Sequence, residues 1–409
     1  MRDALLLVNH VYIRTDRGRI EIDDQTWRDL LQYAHHFPAV TMAGPQWPMD
    51  QEQSISSTRW LAIDELPCAD RVTVLPLPYA YGLGTFLRTY GKIRRRLGHL
   101  LEDHRYRLFT LGSLVGDWAA VAGLEAQRRR LPYGTQCDRV EHEVMRLAAR
   151  NGSLKARIEA AIKVPLTERY HRHLLRHSAV TLCKGQETYQ AYRPHGRATV
   201  CIYNTHTQKE DFIPEAALGQ KITDALALKP IQVCYAGRVV DEKGPLDWVR
   251  ALHWAIGRGA NLQATWLGDG PLLSAMAALV DELGLGDRVQ LPGFVGDRTH
   301  VLETLRRSHA IVFCHLVPES PRCLVESLVS GTALLGYGSP YPEGLVQGIG
   351  GGRFVKLGDW QALGELLLQL DRDRPAIAHL VRAAAQAGRQ FDEDTLFRDR
   401  SELLKHHLG

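Results

Sequence analysis

Two acidic side chains, Glu319 and Glu326, lie in a stretch whose pattern could position them for chemistry. The apolar run 311–314 has the length of a buried strand, and residues 323–329 have the apolar spacing of a helix. Glu319 is therefore expected in a strand-to-helix loop, and Glu326 in the first turns of the helix. Open α/β sheets bind ligands at this edge, where a helix start also offers N–H groups to an anion. The alternative is a helix-capping acid beside a solvated helix face.

Two cations form a second candidate site. Arg238 and Lys243 lie in a loop bounded by Gly237 and Gly244, between an apolar run of strand length and a helical segment. Arginine can bind two oxygens at once and lysine acts as a mobile point charge, so the pair suits a diphosphate. The alternative is a surface loop whose cations are unrelated.

Two further glycine loops follow apolar runs. Gly268 begins the sequence Gly-Asp-Gly-Pro, and Gly293 precedes Phe294. The first loop is compatible with a tight turn or a ligand loop. The second is compatible with a strand end or with a backbone that hydrogen-bonds a base. Neither loop specifies a function alone.

The elements around these loops indicate two α/β domains. Short apolar runs alternate with segments of helical spacing in both halves of the chain, which is typical of doubly wound parallel sheets. A chain of 409 residues is also too long for one ordinary core. We predict a first domain over 1–205, a linker over the weakly periodic 206–229, a second domain over 230–388 and a C-terminal helical segment over 389–409.

Two local predictions concern the first domain. Residues 14–21 are highly charged and are expected to form a loop, with Gly18 as its glycine. Residues 139–177 are expected to be mostly helical and basic, with an interruption at Pro165.

Composition narrows the class of protein. The chain is 45% hydrophobic with a net charge of +4, which is typical of a soluble globular protein and argues against a nucleic-acid binder. There is no apolar run of about eighteen residues, and the run at 4–8 is short for a signal peptide. Seven cysteines without a Cys-x-x-Cys pair argue against a disulfide framework or a zinc site. We therefore expect a cytoplasmic protein.

The order of the loops carries more information than any one of them. Gly-Arg-x4-Lys-Gly, Gly-Asp-Gly, Gly-Phe and Glu-Ser…Glu-Ser-Leu-x2-Gly each follow a predicted strand within residues 231–370. This order resembles the donor-binding half of the retaining family-4 glycosyltransferases (glycosyl transferases group 1), which have the GT-B architecture. The resemblance implies two Rossmann-like domains with parallel sheets facing across a cleft, and a C-terminal helix that returns to the first domain.

The resemblance also implies an activity. Such an enzyme moves a sugar, here expected to be a hexosyl group, from a nucleotide-diphosphate sugar to a hydroxyl acceptor with retention. The acceptor would be a glycan, a lipid-linked molecule or a small molecule, in glycan, glycolipid or natural-product biosynthesis. No metal or other cofactor is expected, because side chains and a helix N-terminus neutralise the leaving diphosphate. We expect a UDP-sugar before a GDP- or ADP-sugar.

Roles carry over residue by residue from the resemblance. Arg238 and Lys243 would stabilise the diphosphate, and Glu319 would contact the transferred sugar; these three form the predicted catalytic group. Glu326 would bind the ribose hydroxyls, and Phe294 would border the base. The full set of predicted donor-binding residues is Gly237, Gly268, Phe294, Ser320, Arg322, Leu324 and Glu326.

The chain departs from the family pattern in both domains. Six residues separate Glu319 from Glu326, where the family has seven, and Ser-Pro-Arg replaces the usual aromatic-glycine pair. The acceptor-side histidine of the family would fall on 111–113, where this chain has none. His10, after the first predicted strand, is the candidate to replace it, with a structural role as the alternative. Gly18 is the only glycine of the first loop.

A helix of the first domain has a basic face. The structural interpretation is a solvated amphipathic helix. The functional, sharper interpretation is docking to an anionic membrane surface or to a phosphorylated acceptor. The sharper interpretation predicts peripheral contact with the inner face of the membrane. The basic residues are Arg88, Lys92, Arg95, Arg96 and His99, with Lys155, Arg157, Lys163, Arg169 and Arg172 further along the chain.

Two other functions fit the same patterns. One is another GT-B enzyme, such as an epimerase or a glycan phosphorylase, although no convincing lysine to anchor pyridoxal phosphate is visible. The other is a non-catalytic nucleotide-sugar-binding subunit, which the short spacing between the two glutamates and the missing histidine would suit.

Overall fold

A parallel β-sheet lies at the centre of each of two structural units in the computed structural model of the chain. The structure describes residues 2–48, 59–150, 153–317 and 319–409. Unit 1 comprises Met1–Ile202 together with Asp394–Gly409, and unit 2 comprises Tyr203–Glu393.

Seven parallel strands form the main sheet of unit 1. They are β1 (Arg2–Val8), β4 (Val40–Pro45), β6 (Val72–Leu77), β7 (His104–Leu111), β8 (Gly134–Cys137), β9 (Val180–Lys184) and β10 (Thr199–Ile202), in the order β10-β9-β8-β7-β1-β4-β6. Leu5 and Leu7 of β1 pack in one apolar cluster, and Leu6 and Val8 pack in another. Because successive side chains of a strand point to opposite faces, the sheet is buried on both faces.

Helices cover the sheet of unit 1. They are α1 (Asp24–His36), α2 (Leu83–Asp103), α3 (Trp118–Arg128), α4 (Glu141–Arg150), α5 (Leu154–His177), α6 (Gly185–Tyr192) and the C-terminal α15 (Glu393–Leu408). Phe397 and Leu404 of α15 are buried in the same cluster as Leu5, and the Phe397 ring lies 5.1 Å from that of Tyr33. Apolar packing therefore holds the C-terminal helix on unit 1.

Six parallel strands form the sheet of unit 2. They are β11 (Ile231–Ala236), β12 (Leu262–Leu267), β13 (Val289–Gly293), β14 (Ala310–Phe313), β15 (Ala333–Tyr337) and β16 (Gly352–Val355), in the order β13-β12-β11-β14-β15-β16. The helices are α7 (Glu215–Leu226), α8 (Pro245–Ile256), α9 (Leu273–Glu282), α10 (Arg298–Arg307), α11 (Arg322–Val329), α12 (Pro340–Leu345), α13 (Trp360–Arg372) and α14 (Arg374–Gly388).

Both sheets contain a point at which the strand order reverses. In unit 1 it lies between β1 and β7, and in unit 2 between β11 and β14. Connections leave the two strands at such a point in opposite directions, so a crevice opens beyond their carboxyl ends. The predicted α/β class with two parallel sheets is confirmed.

The segment expected to be a linker, 206–229, contains α7. Leu218 of this helix packs with Ile213, Val381 and other apolar residues of unit 2. The buried ammonium group of Lys221 donates hydrogen bonds to the carbonyls of Ser330 and Gly331 at 2.9 and 3.0 Å. Burial of a lysine weakened the apolar periodicity of the helix, which is why the sequence pattern did not predict it.

Two expectations for unit 1 are corrected. The charged loop 14–21 forms two antiparallel strands, β2 (Arg14–Asp16) and β3 (Arg19–Asp23), with Gly18 in the turn between them. With β5 (Trp60–Ala62) they make a small antiparallel sheet whose strands are only three to five residues long, too short for their pattern to stand out from a charged loop. Pro165 lies within an unbroken α5. Ala161, whose carbonyl a proline at 165 leaves unpaired, is exposed, so water can satisfy it.

Candidate functional site

Three glycine loops lie side by side at the carboxyl edge of the sheet in unit 2. The N–H of Gly237 donates to the carbonyl of Leu267 at 2.9 Å, and the N–H of Gly268 donates to that of Gly293 at 2.8 Å. A methyl group on Gly268 would collide with the carbonyl oxygen of Gly237. The close approach of these loops therefore requires glycine at 268.

The loop after β11 reaches the end of β14, on the other side of the strand reversal. Gly244 has φ +59° and begins α8, and a methyl group there would collide with the carbonyl of Cys314. The N–H of Leu316 donates to the carbonyl of Glu242 at 2.9 Å. These contacts hold Lys243 beside the loop that carries Glu319.

Lys243 and Glu319 form a direct ion pair between the ammonium group and Oε2. Their side chains are 11% and 25% exposed, so the pair is largely shielded from water yet still reachable. The two residues are 76 positions apart in the chain. The structure thus joins two of the three predicted catalytic residues at the crevice of the sheet.

Glu319 has a second neighbour that sequence patterns did not single out. The Nδ1 atom of His315 lies 3.2 Å from its Oε1, and the Nε2 atom of His315 lies 2.7 Å from the hydroxyl of Tyr235. Burial, and then the charge of Lys243, lower the pKa of His315 to about 3. Burial also raises the pKa of Tyr235 well above its usual value.

These two shifts define the protonation of the cluster at neutral pH. A neutral His315 carries one ring proton, and a protonated Tyr235 donates its own to Nε2 of the ring. The proton of His315 therefore resides on Nδ1, facing Glu319. Lys243 is the hydrogen-bond donor to Oε2 of Glu319, whereas Oε1 is buried beside His315 without a hydrogen-bond partner among the described residues.

At the start of α11, next to Glu319, the N–H groups of Arg322 and Cys323 have no hydrogen-bond acceptor among the described residues. Its N-cap residue, Pro321, supplies no capping side chain. Arg322 is exposed at the first helical position, where a cation is disfavoured by the helix dipole unless an anion is bound nearby. Ser320 is partly exposed, whereas the side chain of Leu324 is fully buried in the core. Leu324 could thus reach a ligand only through its backbone.

Glu326 takes part in a second charged cluster. Arg298 at the start of α10 donates to both carboxylate oxygens of Asp211, at 3.0 and 2.8 Å. Its Nε atom lies 3.9 Å from Oε1 of Glu326. These hydrogen bonds to Asp211 are the main cause that raises the pKa of Arg298 above its usual value. No local motif marked Arg298 or Asp211, because the cluster forms only when distant segments meet.

The remaining predicted donor residues are exposed. Arg238 directly follows Gly237 at the start of the first glycine loop, with an exposed side chain. Phe294 is 77% exposed, and its ring lies near Gly296 in the loop after β13. Both are at the carboxyl edge that carries the glycine loops, available to a ligand.

Polar side chains also gather at the strand reversal of unit 1. His10 follows β1, and its Nδ1 atom lies 3.3 Å from where a methyl group on Gly112 would be. Gly112 follows β7 and donates its N–H to Asp117 at 2.8 Å. His10 thus lies beside segment 111–113, where the family has its acceptor-side histidine and this chain has none.

Two carboxylates adjoin His10, the buried Asp117 and the partly exposed Asp138. Burial raises the pKa of Asp117, and the N–H groups of Gly112 and Ala120 and the nearby His10 oppose that rise. For Asp138, which follows β8, burial is outweighed: Lys184, His10 and a hydrogen bond from Gln136 hold the pKa of its carboxyl below the usual value. Gly18, in contrast, lies at the exposed hairpin turn of the small sheet.

The described part of the chain has neither a membrane-spanning helix nor a metal-binding cluster. No helix there is both long and apolar enough to cross a bilayer. No group of three or more His, Cys, Asp and Glu side chains among those residues could hold a metal ion.

Comparison with known proteins agrees with this architecture. Residues 221–390 match the family Glycosyl transferases group 1. The chain is therefore similar to that family over most of unit 2, and its two-sheet fold is that of GT-B glycosyltransferases, as predicted. A comparison with curated protein sequences gave no match.

Several solved structures share the fold over nearly the whole chain. HepE of Anabaena in complex with UDP is 16% identical, with a TM-score of 0.65, and the match covers 98% of this chain and 99% of that chain. Sucrose-phosphate synthase of Thermosynechococcus elongatus is 15% identical, with a TM-score of 0.62 and coverage of 99% of both chains. A glycosyltransferase of Rickettsia africae is 12% identical, with a TM-score of 0.64 and coverage of 100% and 99%.

Proposed function

We propose that the protein is a nucleotide-sugar-dependent glycosyltransferase whose donor is held by unit 2. The observation that carries the proposal is the Lys243–Glu319 ion pair at the strand reversal, beside the uncapped start of α11. A cation, a carboxylate and free N–H groups at one crevice suit a sugar joined to a diphosphate. HepE, which has the same fold, binds UDP-glucose. We therefore place UDP-sugars before GDP- and ADP-sugars as donors, with a hexosyl group as the sugar.

In this proposal the diphosphate lies between two cations and a helix start. Arg238 grips phosphate oxygens from the exposed side, Lys243 contacts the oxygen at which charge develops, and the N–H groups of Arg322 and Cys323 complete the contacts. Stabilisation of developing negative charge is the largest single contribution in many enzymes. These groups would stabilise the leaving nucleotide without a metal ion.

Glu319 then has two roles in succession. Without donor it neutralises Lys243, which would otherwise be a shielded, unpaired cation. When the diphosphate arrives, its negative charge competes for Lys243, and the released carboxylate of Glu319 can accept hydrogen bonds from hydroxyl groups of the sugar. His315 limits how far Glu319 moves. Glu326, oriented by Arg298, would bind the ribose hydroxyls.

We assign the hydroxyl acceptor to unit 1. The cluster of His10, Asp117 and Asp138 lies at the strand reversal of that sheet, where a ligand crevice is expected. Transfer would proceed with retention, the leaving diphosphate taking the proton of the acceptor on the same face. The products would belong to glycan, glycolipid or glycosylated natural-product biosynthesis. We place the enzyme in the cytoplasm, in peripheral contact with the inner face of the membrane through basic helices of unit 1.

Thermal unfolding in the presence of UDP-glucose, GDP-mannose and ADP-glucose tests the proposal. A ligand that binds only the folded state raises the melting temperature, and we expect UDP-glucose to do so most. Slow release of UDP from UDP-glucose should accompany binding, and Arg238→Ala should weaken both. No shift with any of the three would contradict the proposal. A shift without UDP release or transfer would favour a non-catalytic binding subunit, and conversion of the sugar without its release would favour an epimerase.

A further inference from the structure

Helix α5 of unit 1 is buried along one side. Its buried side chains are Val164, Thr167, His171, Leu174 and Leu175. With about 3.6 residues per turn these positions share one face of the helix. That face packs on the body of unit 1, where Leu174 and Leu175 join an apolar cluster.

Four aliphatic side chains lie on the opposite side of the same helix. They recur every fourth residue, and their exposed fractions are 72% for Leu154, 56% for Ile158, 60% for Ile162 and 48% for Leu166. We call them the apolar stripe. The stripe is about 18 Å long at ~1.5 Å per residue. No side chain of residues 154–163 is buried, and the packed face of residues 164–175 points the other way, so folding of unit 1 does not cover the stripe. A contiguous exposed apolar surface marks an interaction site.

The charges around the apolar stripe are mainly positive. Helix α5 contains six lysines and arginines and two glutamates. Glu159 pairs with Lys163 at 2.7 Å, and Glu168 pairs with Arg172 at 2.6 Å. Both acids are thus neutralised within the helix, so the excess charge is carried by the remaining cations, which are Lys155, Arg157, Arg169 and Arg176.

An exposed apolar stripe among cations favours an anionic bilayer over a second copy of the chain as the partner. A second copy of the chain would bring an identical basic helix against the first, and like charges in contact oppose association. An anionic bilayer can contact both the apolar stripe and the cations. Aliphatic side chains enter the boundary between headgroups and acyl chains, while lysine and arginine side chains extend to the lipid phosphates.

We propose that the apolar stripe of α5 inserts into the surface of an anionic lipid bilayer and thereby docks unit 1 on the membrane. The proposal rests on the proposed function in one respect, because the glycosyltransferase would meet its acceptor at this membrane. It also locates the contact: the contact is made by insertion of the stripe and not by basic charge alone. Either element alone would bind weakly, because stable peripheral attachment combines apolar burial with electrostatic attraction.

Co-sedimentation of the full chain with vesicles tests the proposal. The vesicles are phosphatidylcholine alone and phosphatidylcholine mixed with phosphatidylglycerol. We expect binding to the mixed vesicles, weaker binding at high salt, and little binding to phosphatidylcholine alone. Ile158→Ser with Ile162→Ser should weaken binding by at least about ten-fold, since two aliphatic side chains lose their burial in lipid. Leu226→Ser with Leu357→Ser is the matched control, because these exposed leucines of unit 2 lie outside α5.

The outcomes separate this proposal from its alternatives. The proposal is overturned if the unchanged chain ignores the mixed vesicles, or if the stripe variant binds them as well as the control variant does. It is also overturned if the stripe instead drives dimerisation, seen as a dimer by sedimentation velocity that the stripe variant converts to monomer. Circular dichroism of the stripe variant checks folding. UDP release measured without vesicles should be equal in both variants, so failure of the glycosyltransferase proposal would be seen separately.

Discussion

The two units have the same kind of sheet but assemble their polar edges differently. In unit 2 the crevice between β11 and β14 receives its cations from a glycine-bounded loop that is visible in the sequence, and Glu319 from the glycine-free loop after β14. In unit 1 the crevice between β1 and β7 receives single residues, His10 and two carboxylates, each from a different strand end. The comparison teaches that the edge proposed to bind the diphosphate is built by close backbone packing at glycines, whereas the other edge is built from single side chains.

The largest expected effect comes from removing the cation of Lys243 in unit 2. Lys243→Ala should lower UDP release from UDP-glucose by about 100-fold or more, since a charge aimed at the leaving group is lost. UDP binding should weaken by about ten-fold or more, because hydrogen bonds to charged groups contribute about 1.5–3 kcal/mol. Enzyme kinetics and calorimetric titration of UDP measure the two effects. Lys209→Ala, at an exposed lysine of the same unit, should change neither. Equal effects of the two variants would contradict the assignment of Lys243 to the diphosphate.

Glu319→Gln separates the two roles of the carboxylate. The variant releases Lys243 from its partner, so UDP should bind a few-fold more tightly, by about 0.5–1 kcal/mol. Turnover of the sugar should fall, because the carboxylate that receives the sugar hydroxyls is gone. Titration with UDP and the rate of UDP release are compared in one preparation. Weaker UDP binding would mean that Glu319 does not compete with the diphosphate.

His10→Ala tests whether the crevice of unit 1 serves the acceptor. Transfer of labelled sugar from the donor to an extract of cellular glycans and lipids should fall by about ten-fold. This is less than the roughly 100-fold or more that a general acid or base contributes, because the leaving diphosphate takes the proton of the acceptor. UDP binding should stay unchanged, because unit 2 holds the donor. A fall in UDP affinity equal to the fall in transfer would contradict the division of labour between the units.

Two glycines of unit 2 test the importance of backbone geometry. Gly244→Ala should lower the free energy of unfolding by about 1–3 kcal/mol and weaken UDP binding, because the alanine methyl group meets Cys314 at positive φ. Gly219→Ala is the matched change, in a helix with open space around the position. It should raise the free energy of unfolding by about 0.5–1 kcal/mol. Urea denaturation measures both, and a tolerated alanine at 244 would show that the loop can move.

The smallest expected effect is a loss of folding stability at low pH. His315 in unit 2 has its pKa lowered to about 3, and His171 in unit 1 has its pKa lowered to about 4, each first by burial. Unfolding returns each histidine to about 6.5, so the unfolded chain binds more protons below that pH and folding is destabilised as the pH falls. Each histidine should remove about 1 kcal/mol between about pH 6.5 and 5.5. His171→Gln and His315→Gln should each reduce this loss in denaturation curves, and unchanged curves would contradict neutral burial.

Much of the fold could be predicted because strand patterns are local. The apolar run 311–314 agrees with β14 (Ala310–Phe313) to within one residue, and the helical spacing of 323–329 lies within α11 (Arg322–Val329). Helix α7 was not predicted, because Lys221 interrupts its apolar face and finds its partners only among distant carbonyls. The small sheet of β2, β3 and β5 was missed because its strands are only three to five residues long.

The candidate site divides in the same way. Arg238, Lys243, Glu319 and Glu326 were singled out by residue type and by position after predicted strands. Arg298 and His315 were not, since nothing near them in the chain shows which carboxylate they will meet. Leu324 has the right position but a buried side chain, which local spacing could not reveal.

The sequence alone determined the alternation of strands and helices, the glycine loops at the strand ends and the kinds of charge they carry, because these depend on neighbours a few positions away. Tertiary structure decided which charges pair. Lys243 meets Glu319 across 76 positions only because β11 and β14 are adjacent in the sheet. It also decided that the apolar stripe of α5 remains exposed, since the orientation of a helix depends on what its other face packs against.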